Sequence, residues 1–531
     1  MRSHKTSYYR GARGVCIAAI CMTQSGVLGE NGRNPGSGWR TLIDMSSLVS
    51  KSLSRSDIKE RESNSVMKHQ TGLFTVTRRK AATVLAFGLP LLGIPLFAAQ
   101  GAWAAAYDST YAPRQTPAYV IDNATVLTGN GDKLEGTRVV LAGGKITGIG
   151  GDAGIPADAV RIDGSGKWIT PGLIDVHSHL GDYPAPSVPS TADGNEMTSP
   201  NTAQVWAEHS VWPQDPQFPL ALAGGVTTLQ ILPGSANLFG GRGVTLKNVP
   251  SRTVQGMKFP GAKHALKMAC GENPKRVYGG KGQSPATRMG NMAGYRAAWI
   301  KAKKYVASQA KAAEDPEATP PEVDLQMETL AGVLRGEILV HNHCYRADEM
   351  ANMIELAEEF DYKITAFHHA VESYKIADLL AKENICSAMW ADWWGFKLEA
   401  YDGIEQNIAL VDAADACAIV HSDSERGIQR LNQDAARAMA AAKRMGRNID
   451  EAHAITWITL NAAQALGIAE ETGTLEVNKA ADVVIWNGNP FSVYAQAEQV
   501  FVDGYRYYER GKRVPVTDFE LHQTVQGGAS E

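Results

Sequence analysis

Histidine placement is the chemically pointed feature of this sequence. Twelve of its 13 histidines follow residue 68, and six of them form three close pairs. These are His177 and His179 in DVHSH, His341 and His343 in EILVHNHCYRADEM, and His368 and His369 in ITAFHHAVESYK. Alternation along a strand puts His177 and His179 on one face, and two imidazoles on one strand end can grip a borderline-soft cation. On its own such a pair is equally the mark of two packed, hydrogen-bonded rings. Carboxylates close two similar segments, Glu272 in ALKMACGENP and Asp423 in CAIVHSDSE. Five apolar runs that each end in a His or an acid are hard to obtain from core packing, and they predict a metal centre.

The elements that must position these residues are short strands alternating with helices. Apolar strand candidates are LIDVHSH, TTLQILPG, VTLKN, ALKMACG, EILVHNH, KITAFHH, ICSAMWA and CAIVHSD. Between several of them lie helical periods, among them AAWIKAKKYVASQAKAAE, DEMANMIELAEEF, SYKIADLLAKE and GIQRLNQDAARAMAAAKRMG. Strand–helix repetition over residues 171–470 predicts a parallel α/β fold, a TIM-like (β/α)8 barrel whose active residues gather at the C-terminal strand ends. An open doubly wound sheet is the competing architecture, but no glycine-rich dinucleotide turn or phosphate loop is present. Short strands flank the barrel on both sides. AYVIDNATVLTG is broken at Asp122-Asn123, and TRVVLAGGKITGIG has a hairpin signal at Gly143-Gly144. ADVVIWNG and EQVFVDGYRYYERG follow near the far end. Residues 105–170 and 471–512 are therefore expected to form one small β-sandwich domain built from both chain ends.

Charge narrows the classes of function. The 531 residues carry a net charge of -4, but 38 basic and 51 acidic residues follow position 104, a net of -13. That balance suits solubility and argues against nucleic acid as a partner. Residues 67–104 hold four basic residues and no acid, the apolar run AATVLAFGLPLLGIPLFAA, and small residues at Ala102 and Ala104. This pattern predicts an export signal, periplasmic delivery and no stable membrane span after processing. Thr77-Arg78-Arg79-Lys80 partly matches a twin-arginine signal. Residues 1–66 then form a leader ahead of the true start, and 513–531 a C-terminal tail. Cys270, Cys344, Cys386 and Cys417 are widely spaced and are expected as buried small apolar side chains; an exported protein leaves a disulfide open as the alternative, with no pair legible.

The ordered pieces PGLIDVHSH, AGGVTT, KMACGENPKR, HCYRADEM, AFHHAVESYKIADLL, HSD and TLNAAQALGIAEETGTLEVNKAADVVIWNGNP resemble the amidohydrolase superfamily, and within it the imidazolonepropionase-like metal-dependent hydrolases. The resemblance spans about residues 119–512. It implies one or two divalent ions, with zinc the first candidate. His177 and His179 would hold the more buried ion, His343 and His369 the second, and Glu272 the bridging position. In some relatives a carboxylated lysine bridges instead, and Lys267 lies in the same segment. Asp423 would touch a metal and take the proton of the attacking water, whose pKa the cation lowers. His341 and His368 are left as neighbours of the ligands or as core residues.

Substrate contacts are expected from Tyr345, Arg346 and Trp390. Arg346 would suit a carboxylate or carbonyl oxygen, or alternatively pair with Asp348. Lys275 and Arg276 could orient an acidic substrate end. Trp390, Trp393 and Trp394 form a loop that departs from the family's usual glycine- and proline-containing one. The implied activity is hydrolysis of an amide-type C–N bond in a small molecule: an N-acyl amino acid, a dipeptide or a cyclic amide. A deaminase or lactonase would use much the same metal set, and a silent metal-binding protein is a third reading. Deaminases of this superfamily commonly carry a glutamate three residues after the strand-five histidine, where this chain has Arg346. A homo-oligomer is compatible with the sequence.

Overall fold

The computed structural model describes residues 107–512, so the leader, export-signal and tail expectations lie outside the described residues. The chain begins with β1 (Tyr119–Leu127), β2 (Lys133–Ala142), β3 (Lys145–Ile149), β4 (Val160–Asp163) and β5 (Trp168–Pro171). Residues 119–127 were expected to break at Asp122-Asn123, yet they form one strand. Asn123 takes a left-handed φ of 61° and the register shifts around it. That bulge lets the two halves of β1 take different partners: Tyr119–Asp122 pair with β4, Thr125 and Val126 with β5. Gly143 and Gly144, both at positive φ, close the β2–β3 hairpin, the geometry a two-residue turn needs.

The barrel strands follow: β6 (Leu173–Ser178), β7 (Val226–Ile231), β8 (Phe239–Lys247), β9 (Ala265–Ala269), β10 (Leu339–Cys344), β11 (Ala366–His369), β12 (Cys386–Met389) and β13 (Ala418–Val420). They lie side by side in sequence order and correspond to the eight apolar segments. One feature corrects the parallel expectation: β8 runs antiparallel to both neighbours. Only residues 232–238 join β7 to β8, too few for the crossover that a parallel strand needs. The first and last strands meet without a ladder. The Asp423 backbone N–H donates to the His177 carbonyl (3.1 Å), and Ser422 donates through its backbone N–H and its hydroxyl to the Asp175 carboxylate.

The helices are α1 (Gln217–Ala223), α2 (Glu272–Gly279), α3 (Arg288–Glu314), α4 (Leu325–Leu334), α5 (Ala347–Phe360), α6 (Ala377–Lys382), α7 (Asn407–Ala413), α8 (Leu431–Arg444), α9 (Glu451–Ala454) and α10 (Leu460–Ala465). α5 shows why such segments are helical. Met350, Met353, Ile354, Ala357 and Phe360 recur at three and four and are buried. Asp348 and Glu349 sit in its first turn, and Asp361 ends it in the left-handed region (φ 58°). No described helix is long and apolar enough to cross a membrane.

Both chain ends build the second domain. β14 (Val483–Trp486), β15 (Ala497–Val502) and β16 (Tyr505–Glu509) continue the sheet from β5. The expected sandwich is thus one connected sheet, β16-β15-β14-β5-β1-β2-β3 with β4 on β1. One face encloses Ile121, Val126, Leu141, Ile146, Ile169, Val483 and Phe501. Leu127, Val484, Trp486, Val500 and Val502 join the barrel's core cluster.

Cys270, Cys344, Cys386 and Cys417 were expected as buried small apolar side chains, with a disulfide left open; they form Cys270–Cys344 and Cys386–Cys417. Each bond joins neighbouring barrel strands, with Cα atoms 5.2 and 4.4 Å apart. Wide sequence spacing hid what strand adjacency brings together.

Candidate metal centre

At the ends of the barrel strands, ring nitrogens and carboxylate oxygens converge. Among the described residues, two groups have ligand atoms within 4.8 Å of one another: His177, His179 and Asp423, and His177, His369 and His421. His177 belongs to both and is fully buried. Asp423 Oδ1 lies 3.5 Å from His177 Nε2 and 3.2 Å from His179 Nε2, while its Oδ2 lies 3.7 Å from His369 Nδ1. The residues His369 (φ 68°) and Asp423 (φ 49°) are both left-handed. This conformation costs about 1–3 kcal/mol at a non-glycine residue and collects at functional sites.

A backbone carbonyl and a carboxylate brace these residues from behind. His179 Nδ1 lies 2.7 Å from the Leu232 carbonyl, so Nδ1 holds the proton and Nε2 offers its lone pair toward Asp423. Asp175, one alternation before His177 on β6, accepts the His177 backbone N–H (3.1 Å) and the two Ser422 groups. Burial raises the Asp175 carboxyl to about 7, against those hydrogen bonds, which lower it. The His177, His343 and His369 rings are held well below the ordinary imidazole value, chiefly by burial. Burial likewise lowers His421 to about 4. Neutral imidazole is the form that ligates metal.

The expected residues divide into those the fold gathers and those it does not. His177, His179, His369 and Asp423 come together as described. The His343 ring abuts that of His369, with centroids 4.5 Å apart. Glu272 stays outside both groups. β9 ends at Ala269, Gly271 (φ 78°) turns the chain, and Glu272 opens α2, where Oε1 pairs with Lys397 at 3.2 Å. Lys267 is the strand-four residue that reaches the cluster. Fully buried, it places Nζ 3.5 Å from His177 Nε2 and donates to the Pro233 carbonyl at 2.9 Å. Burial lowers its amine to about 7, against the pull of Asp423.

Arg346 turns away from the site. Its guanidinium forks onto Asp348 at 2.9 and 3.1 Å beside α5. Tyr345 is buried, with its ring 4.7 Å from His343 and 5.4 Å from His369. Trp390 stacks on His369 at 4.3 Å and Trp393 stacks on Trp390 at 5.1 Å. Lys397, projecting from the same loop, sits 4.0 Å over the Tyr345 ring. These aromatics form one wall of the site. Two participants escaped the sequence argument. His421 accepts the His369 backbone N–H at 3.2 Å through Nε2, and Asp175 braces β6. The H-x-D spacing of His421 and Asp423, like that of His177 and His179, was the available signal.

A divalent ion suits this donor set. The buried nitrogens His343 Nδ1 and His369 Nδ1 have no hydrogen-bond partner, a costly state for polar atoms unless something else uses them.

Comparison with known proteins identifies the family. The Amidohydrolase family model matches residues 168–507. Amidohydrolase tasK of Hapsidospora irregularis is 31% identical over 370 residues, 66% of this chain; the chain spans only 37% of that protein's length. An imidazolonepropionase of Mesorhizobium japonicum is 24% identical over 67% of this chain and 87% of its own. The crystal structure of an amidohydrolase from Thermotoga maritima MSB8 superposes with a TM-score of 0.69 and 34% identity, covering 74% of this chain and all of that one. Fold and sequence together make this chain a member of the amidohydrolase family.

Proposed function

We propose that the protein hydrolyses an amide-type C–N bond in a small molecule, an N-acyl amino acid, a dipeptide or a cyclic amide, with one or two divalent ions, zinc first among them. The observation that carries this reading is the Asp423 carboxylate set among His177, His179 and His369, with the buried amine of Lys267 beside them. His177, His179, Asp423, His369, His343 and Lys267 would hold the metal, with His421 beside them. Lys267 rather than Glu272 would hold the metal from β9. An amine lowered to about 7 is partly unprotonated at neutral pH, so it can add to carbon dioxide, releasing one proton and becoming an anionic carbamate. A cation bound there supplies Lewis acidity and an acidified water.

The remaining chemistry falls to side chains. Asp423 accepts the proton of the attacking water at a carboxylate oxygen and delivers it to the departing nitrogen. Tyr345 and Trp390 line the space beside His369 and receive the apolar part of the substrate. Lys397 rather than Arg346 is the cation near that space. Arg346 is spent on Asp348, and no acid takes its place, which counts against deamination.

We further propose that the protein is exported and works in the periplasm. Two disulfides suit an oxidising compartment. The test is a hydrolysis screen over amides, lactones and amines with metal content measured alongside. Amide turnover that falls with chelator and returns with zinc supports the reading. A metal-free protein with undiminished turnover contradicts it.

A further inference from the structure

Behind the metal-facing side of His177 runs a chain of rings that the proposed chemistry does not use. His177 Nδ1 is 2.9 Å from His368 Nδ1, His368 Nε2 is 2.8 Å from His341 Nδ1, and His341 Nε2 is 3.1 Å from the carbonyl oxygen of Ala465. All three rings are buried completely. Ala465 is the last residue of α10, where carbonyls lack intrahelical donors.

The polarity of this chain is determined from its far end. A carbonyl oxygen only accepts, so His341 Nε2 must carry the proton. A neutral ring has one proton, so His341 Nδ1 is bare and accepts from His368 Nε2–H. His368 Nδ1 is then bare and accepts from His177 Nδ1–H. His177 Nε2 is left with its lone pair, directed at Asp423 and Lys267. Reversing the order would face a bare His341 nitrogen with a carbonyl lone pair at 3.1 Å in a dry interior, leaving two acceptors without a donor.

We propose that His368 and His341 are positioning residues: with the Ala465 carbonyl they lock His177 in the Nδ1–H tautomer, so that its Nε2 is a preformed metal ligand. The inference takes the metal site from the proposed function, but the tautomer can be read without metal or substrate. Hydrogen-bonded partners behind ligating histidines typically contribute 10–100-fold in metal affinity.

The experiment uses the full chain, metal-free and labelled with [15N]histidine, together with titration of Zn(II) against a competing chelator. The expected wild-type spectrum shows protonated Nδ1 and bare Nε2 at His177, with the proton on Nε2 in His368 and His341. In His341→Phe the anchor is lost, His177 populates both tautomers, and zinc affinity falls about 10–100-fold. His341→Gln, whose amide can accept from His368 and donate to Ala465, restores both readouts in large part. A wild-type His177 carrying its proton on Nε2 would overturn the proposal, and that result needs no variant to fold. Unchanged tautomer and zinc affinity in His341→Phe would overturn it too. Failure of amide turnover alone would count against the hydrolase reading and leave the tautomer result standing.

Discussion

Two buried polar clusters occupy opposite ends of the barrel strands, and they are built on opposite terms. At the end facing the β-domain, Lys247 pairs with Asp503 at 2.8 Å and Asp482 at 3.5 Å. Tyr111 donates to Asp503 at 2.6 Å, Thr472 donates to Asp482 at 2.9 Å, and the Asp503 backbone N–H donates to Asp482 at 2.9 Å. Burial pulls the Lys247 amine down, yet the two aspartates outweigh it and hold it above its ordinary value. Every charge there has a protein partner. At the other end, His343, His369 and His421 each keep a buried nitrogen without a hydrogen-bond partner, and two residues stay in left-handed conformations. The satisfied cluster holds two domains together. The other gathers ring nitrogens and a carboxylate that could hold a metal ion.

That contrast predicts opposite responses to mutation. Asp423→Asn should lower kcat by roughly 10²–10⁴ or more while the thermal midpoint holds or rises. Kinetics and calorimetry on one preparation would check it, and near-native kcat would remove Asp423 from proton transfer. Lys247→Met leaves two buried aspartates without their cation, so it should cost about 3–5 kcal/mol of stability, with kcat per folded molecule unchanged. Chemical denaturation beside active-site titration separates the two effects.

Acid should act at the metal end in a definite direction. Imidazoles held below 6.5 by burial stay neutral as the pH drops through 6.5. Metal content measured after dialysis should therefore persist below pH 6.5 and fall only at lower pH. Loss of half the metal at or above pH 6.5 would show that burial does not govern these rings. The smallest effect belongs to Glu272→Gln. With Glu272 engaged by Lys397, zinc stoichiometry should match that of the unaltered protein, whereas Lys267→Met should lose metal.

The sequence made much of this legible because ligands and strands share one signal, an apolar run ending in a polar residue. That signal located all eight barrel strands, and with them His177, His179, His343, His369 and Asp423. Direction was not legible for β8, since an apolar strand looks the same either way and only the short 232–238 connection reveals it. Lys267 and Glu272 could not be separated by type. The distinction rests on where β9 ends and on the Gly271 turn. The disulfides depend on strand adjacency, and the ring chain from His177 to Ala465 joins residues 288 positions apart through rotamers that spacing does not encode.

Anomalous diffraction from crystals of the zinc-loaded protein tests the central claim most directly. One or two peaks are expected, bounded by His177, His179, His369, Asp423 and a carboxylated Lys267, with Glu272 still on Lys397. A zinc ion coordinated by Glu272, or no zinc at the strand ends of an active preparation, would contradict it.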